Sequence, residues 1–167
     1  KVALSLTVMV GLFLIVLGPN FIGVWIGPSF AGPSGEVLQI LMISSLVFLP
    51  IRGVAIPILM GIGKPKTPTI AFLISGVANV VLSALLIGPF GLAGVALGTA
   101  IPNVGFAIAM WIVTCRELGV APASYLRYVG ARVAIGTLPI LLYLRWCDVL
   151  FDVHSLIGLV AAGSAMV

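Results

Sequence analysis

The sequence predicts an all-α integral membrane protein, a bundle of about six transmembrane helices. Three observations carry that prediction. Charged residues make up 7% of the 167-residue chain and hydrophobic ones 62%, against roughly 25% charged in an ordinary soluble domain. Apolar runs recur at the length, about 20 residues, that crosses a hydrocarbon layer of roughly 30 Å. Most of the charges, and the Gly/Pro-rich breaks, fall between those runs. Eight basic and four acidic side chains are too few to cover a water-soluble globule of this size. Backbone groups in lipid must be paired within the spanning element, so helices are the economical solution. The ten-residue alternating segments of a membrane β-barrel are not visible.

The elements follow in order. The first predicted helix covers 2–26, with Trp25 as an interfacial aromatic near its outer end. "GPSFAGPSGE", 27–36, predicts a turn with one acid. The second helix covers 37–62 and stops at "GKPKTP", which carries Lys64 and Lys66. The third, 69–87, places Ser75, Asn79 and Ser83 on one face by their i, i+4, i+8 spacing. "GPFG" predicts a tight turn without charge. The fourth, 92–114, contains Gly94 and Gly98 in a G-x-x-x-G packing pattern, and Pro102 predicts a kink in it. The basic stretch 115–132 predicts a linker with a short interfacial helix. The fifth helix, 133–146, is short unless Arg132 and Arg145 extend their stems toward the interfaces. The sixth starts near His154 and runs to Val167. The first residue is Lys1 and the last run is apolar, so residues 1–167 are expected to be a piece of a longer membrane protein.

Charge sets the expected orientation. Lys1, Lys64, Lys66, Arg116, Arg127 and Arg132 fall on one side and only Arg145 on the other. Basic residues favour the cytoplasmic side, so loops 63–68 and 115–132 are expected there. Cys115 and Cys147 then lie at opposite faces, and no disulfide or zinc pattern is present. The net charge of +4 is spread between apolar runs rather than gathered in a stripe, which argues against nucleic acid. No nucleophile with a base, paired acids, metal spacing or phosphate-cradling loop appears, so no catalytic residue, metal or cofactor is expected and the protein is not expected to be an enzyme.

Arg52 is the exception to the charge pattern. It lies ten residues before the predicted end of the second helix, roughly 15 Å deep at 1.5 Å per residue. A charge at that depth costs at least ~2.5 kcal/mol unless it faces the bundle interior or a wet cavity. Two explanations stay open. Arg52 attracts an anionic group of a substrate, a task suited to its permanent charge and bidentate fork, or it pairs with a carboxylate on another helix. Pro50 and Pro57 bracket it and each removes a backbone donor. The expected substrate-binding cavity is therefore Arg52 with Asn79 and Asn103, and the expected hinges are Pro50, Pro57 and Pro102. For Asn79 a packing role between helices is the favoured alternative; for Asn103, cavity lining and bonding to a neighbour stay equal.

The motifs in order resemble a known family. "VWIGPSF", "MGIGKPK", "ISGVANVVLSALLI" and "GPFGLAGVALGTAI" resemble the C-terminal half of the polysaccharide flippases, the O-antigen and exopolysaccharide exporters of the MATE-like superfamily. The matching positions are Trp25 with Gly27, Gly63 with Lys64, Asn79 with Leu82 and Ser83, and the run Gly91, Gly94, Val95, Ala96, Leu97, Gly98 and Thr99. The resemblance covers about 14–117. It implies two bundles around a central cationic cavity, this chain supplying most of the second and an N-terminal bundle the first. It also implies an inner-membrane transporter moving undecaprenyl-diphosphate-linked oligosaccharide by alternating access, with membrane lipids around it. A MATE-like multidrug or cation exporter is the alternative, which would be expected to carry an acid mid-helix; none of the predicted helices has one there. A lipid II flippase and a non-transporting scaffold of envelope synthesis are further alternatives.

Overall fold

The computed structural model describes residues 2–124 and the single positions 127, 130, 138 and 142. The predicted helices 133–146 and 154–167, with Arg132, Arg145, Cys147 and His154, lie outside the described residues. Among the described residues the protein is all-helical: α1 is Val2–Trp25, α2 is Pro28–Gly61 and α3 is Lys66–Glu117. Each is apolar and long enough to cross a membrane.

α3 is two helices in one run. At Gly91 the backbone takes φ 56°, ψ −133°, a conformation that an L side chain resists. The chain reverses there, and arms 66–90 and 92–117 pack antiparallel. A methyl group on Gly94 would overlap the Leu86 carbonyl, and one on Gly98 the Ser83 backbone. The G-x-x-x-G pattern thus works inside the hairpin, letting the two backbones approach. Two hydroxyls stitch the seam: Ser75 Oγ donates to the Pro102 carbonyl at 3.2 Å, and Ser83 Oγ to the Val95 carbonyl at 3.5 Å. The predicted helices 69–87 and 92–114 therefore correspond to these arms, each extended by up to three residues.

α1 and α2 also run antiparallel, with glycines at their closest points. Gly18 lies against Leu38, and Gly35 against the Pro19 ring. Pro19 sits inside α1 and has no N–H to give the Ile15 carbonyl one turn earlier. Gln39 of α2 repairs that gap, its Nε2 donating to the Ile15 oxygen at 2.8 Å.

The largest departure from the sequence reading is the start of α2. The composition of 27–36 predicts a turn, but the helix begins at Pro28 and runs through Pro33. Pro28 occupies the first helical turn, where a missing N–H costs nothing. Pro33 forfeits one bond, to the Ser29 carbonyl. The packing of Gly35 on Pro19 and of Ala31 beside Gly23 holds the extra turns on α1. Only Ile26 and Gly27 separate the two helices. At its other end α2 closes as the sequence suggests. Gly63, at φ 75°, lets the Lys64 N–H reach the Leu59 carbonyl at 2.8 Å and the Gly63 N–H reach Met60 at 3.1 Å, a Schellman closure.

The core joins α2 to both arms of α3. Ala55, Leu59, Phe106 and Met110 are buried together, with Phe48, Ile51 and Val113 packed around them. Many large apolar side chains face outward, among them Leu73, Val80, Leu85 and Leu92. That outer surface suits a hydrocarbon solvent.

Candidate functional site

Arg52 lies on α2, nine residues before Gly61, about 14 Å along the axis. Its side chain is exposed on the outside of the described bundle. Phe48, one turn earlier on the same face, sits 5.6 Å from the guanidinium carbon, and Phe72 of the first α3 arm sits 5.2 Å from it. Both distances are within reach of a cation–π attraction. The two rings rest in turn on Phe106 of the second arm, at centroid distances of 5.5 and 4.4 Å. The guanidinium therefore stands on an aromatic shelf built by α2 and both arms.

That shelf decides what Arg52 can do. Each ring contributes about 0.5–1 kcal/mol at an exposed site and about 2 kcal/mol when desolvated. The pair is thus comparable with the ~2.5 kcal/mol lower bound for placing a charge in a bilayer. Phenyl rings accept no conventional hydrogen bond, so the five guanidinium N–H donors are not used up by the shelf. Among the described residues the one ion pair is Lys64 with Glu117, and no carboxylate meets Arg52. The arrangement offers a forked cationic donor set to an anion.

The other candidate residues are placed separately. Asn79 is half-buried on the first arm, between Ser75 and Ser83, whose hydroxyls cross the hairpin seam. Asn103 is half-buried on the second arm beside Pro102, which is buried and accepts the Ser75 bond. No hydrogen bond joins Arg52, Asn79 and Asn103. Pro50 and Pro57 both lie inside the continuous helix α2, one on either side of Arg52. Clefts on the described surface include one of about 420 Å³ lined by Phe72, Gly76 and Val80, and one of about 220 Å³ lined by Ser34, Leu41, Val95 and Thr99. Arg52 and the two asparagines line neither. Phe48 is missing from the sequence reading, although its place one turn before Arg52 is a signal that could have found it. Phe72 carries no sequence signal, because only the packing of α3 on α2 brings it there.

The basic loops meet at one end of the bundle. Lys64, after α2, pairs with Glu117 at the end of α3 at 2.5 Å. Residues 63–66 and 116–117 therefore share an end, and the Gly91 reversal lies at the other.

What the fold defines is a class: among the described residues, an all-helical protein with three apolar helices of membrane-spanning length, one of them doubled back on itself. No family model, curated protein or solved structure matches the chain.

Proposed function

We propose that the chain is part of an inner-membrane flippase that carries lipid-linked oligosaccharide, an undecaprenyl-diphosphate sugar, across the bilayer by alternating access. One observation carries the reading: Arg52, well inside a spanning-length helix, rests on Phe48 and Phe72 and meets no carboxylate among the described residues. A diphosphate cannot enter hydrocarbon unpaired. A guanidinium supported by aromatic faces replaces the water lost by the phosphates and keeps its fork for them. Asn79 and Asn103 would supply neutral donors for sugar hydroxyls, and the prolines of α2 and the second α3 arm would let the helices bend as one bundle rocks against another. The lipid tail stays in the bilayer throughout. Loops 63–68 and 115–132 face the cytoplasm in this reading.

The test is export of cell-surface polymer by the full-length protein carrying Arg52→Ala or Arg52→Lys, at matched membrane abundance. Arg52→Ala is expected to abolish export. Arg52→Lys keeps the charge but loses the bidentate geometry, so it is expected to export at an intermediate rate. Normal export by Arg52→Ala at normal abundance would overturn the assignment.

A further inference from the structure

The first arm of α3 carries an apolar groove on its outer side. Phe72, Leu73, Gly76, Val77, Val80 and Val81 line it, around a volume of about 420 Å³. No heavy atom stands within 4 Å of where a Cβ on Gly76 would be, so the missing side chain leaves a notch between Phe72 and Val80, one turn to either side. From Phe72 to Val81 the groove runs about 13.5 Å along the helix axis, away from the end that carries Lys64. Phe72 belongs to two structures at once. Its ring walls the groove, and the Arg52 guanidinium carbon lies 5.2 Å from the ring centroid. An apolar groove thus begins beside a guanidinium that meets no carboxylate among the described residues.

We infer that this groove holds the hydrocarbon chain of the lipid whose diphosphate Arg52 binds. The inference rests on Arg52 being the anion site proposed above and adds a second subsite to it: the first arm of α3 grips the chain next to its charged end. Charge complementarity selects the occupant. A bare hydrocarbon or an apolar helix laid along the groove would leave the neighbouring guanidinium without a counter-charge, whereas a chain that ends in a phosphate supplies one. Shape selects the kind of chain. The bilayer is already apolar, so the chain gains nothing here by leaving water, and what the groove adds is close packing. A polyprenyl chain carries a methyl branch on every isoprene unit. The notch at Gly76 takes such a branch between Phe72 and Val80, and a straight chain has none to offer. All six lining residues are exposed, so the chain stays in contact with the bilayer while it is held, as the flippase reading requires.

The test is equilibrium binding to the full-length protein in lipid nanodiscs. The probes are inorganic diphosphate, which is the anion alone, farnesyl diphosphate, which adds a short branched polyprenyl chain, and dodecyl diphosphate, which adds a straight one. Partition of each chain into the bilayer is common to every variant and cancels when variants are compared. Gly76→Leu fills the notch; the space around Gly76 is open, and leucine is a good helix former. It is expected to lower the ratio of farnesyl to inorganic diphosphate affinity by about tenfold, the equivalent of roughly ten close carbon contacts. Gly76→Ala, which adds one methyl group, is expected to lower it less. The dodecyl ratio is expected to fall less than the farnesyl ratio in Gly76→Leu. Because each variant is compared with itself on two probes, a general loss of stability does not imitate the result. Arg52→Ala is expected to weaken the binding of inorganic diphosphate itself. An unchanged farnesyl ratio in Gly76→Leu would overturn the chain subsite and leave the anion site standing. Equal falls for the farnesyl and dodecyl ratios would overturn the selection of a branched chain. Unchanged binding of inorganic diphosphate by Arg52→Ala would overturn the anion site on which the subsite rests.

Discussion

Replacing Gln39 by Leu tests how α1 tolerates a proline in its interior. Pro19 deprives the Ile15 carbonyl of its helical donor, and the Gln39 amide takes that place at 2.8 Å. Leu fills much of the same volume without the donor. A buried acceptor left unsatisfied costs about 1–3 kcal/mol. Interhelical bonds in membrane proteins average nearer ~0.6 kcal/mol, with a maximum near ~1.7, because the reference state also finds partners. The expected loss for Gln39→Leu is therefore about 1 kcal/mol. Pro19→Ala supplies the decisive comparison. It restores a backbone N–H four residues after Ile15, so the carbonyl no longer needs Gln39. It also removes the ring that Gly35 packs against, but that loss enters both arms of a double-mutant cycle and cancels. Reversible unfolding in mixed micelles, followed by helical circular dichroism, measures the four stabilities. The cycle is expected to show coupling of about 1 kcal/mol, with Gln39→Leu nearly neutral in the Pro19→Ala background. If Gln39→Leu costs the same in both backgrounds, the amide does not repair the proline gap.

Gly98→Val should disrupt the α3 hairpin, since its side chain would meet the Ser83 backbone rather than a movable side-chain end; the expected loss is about 1–3 kcal/mol, read by the same unfolding assay. Glu117→Gln removes the ion pair with Lys64, whose side chains are 50% and 30% exposed, so stability should fall by less than about 1 kcal/mol; a larger loss would mean the pair is not the solvated contact described. Single cysteines at Lys66 and Arg116, in a background without Cys115 and Cys147, should react with a membrane-impermeant maleimide from the same side, and a cysteine at Phe90 from the opposite side. Labelling of all three from one side would refute the reversal at Gly91 as a transmembrane hairpin.

Legibility in the sequence differs from element to element. The break at "GKPKTP" is visible because Gly, Pro and Lys together stop an apolar helix for local reasons, and the structure closes α2 there at Gly63. The hairpin is expected near "GPFG", and the structure reverses at its last residue, Gly91, while Pro89 stays helical. The start of α2 is misplaced because Gly, Pro and Ser at 27–36 argue locally for a turn. Packing of Gly35 on Pro19 outweighs that local preference, and packing partners 16 residues apart leave no mark on local composition. Arg52 stands out at once, being a charge in an apolar run. Its aromatic support does not, since Phe72 is one apolar residue among many until α3 folds onto α2.

By itself, the sequence determined the apolar, helical character of the described residues and most of the breaks between their helices. Hydropathy and breaker residues act over one helix length, and a chain with 7% charged residues has helices of spanning length as its economical solution. Tertiary structure decided where backbones touch, which proline is repaired by which side chain, and which faces surround Arg52. Those outcomes depend on side chains brought together from distant positions by close packing, and on glycines that matter only when a neighbour's backbone fills the space where a Cβ would stand.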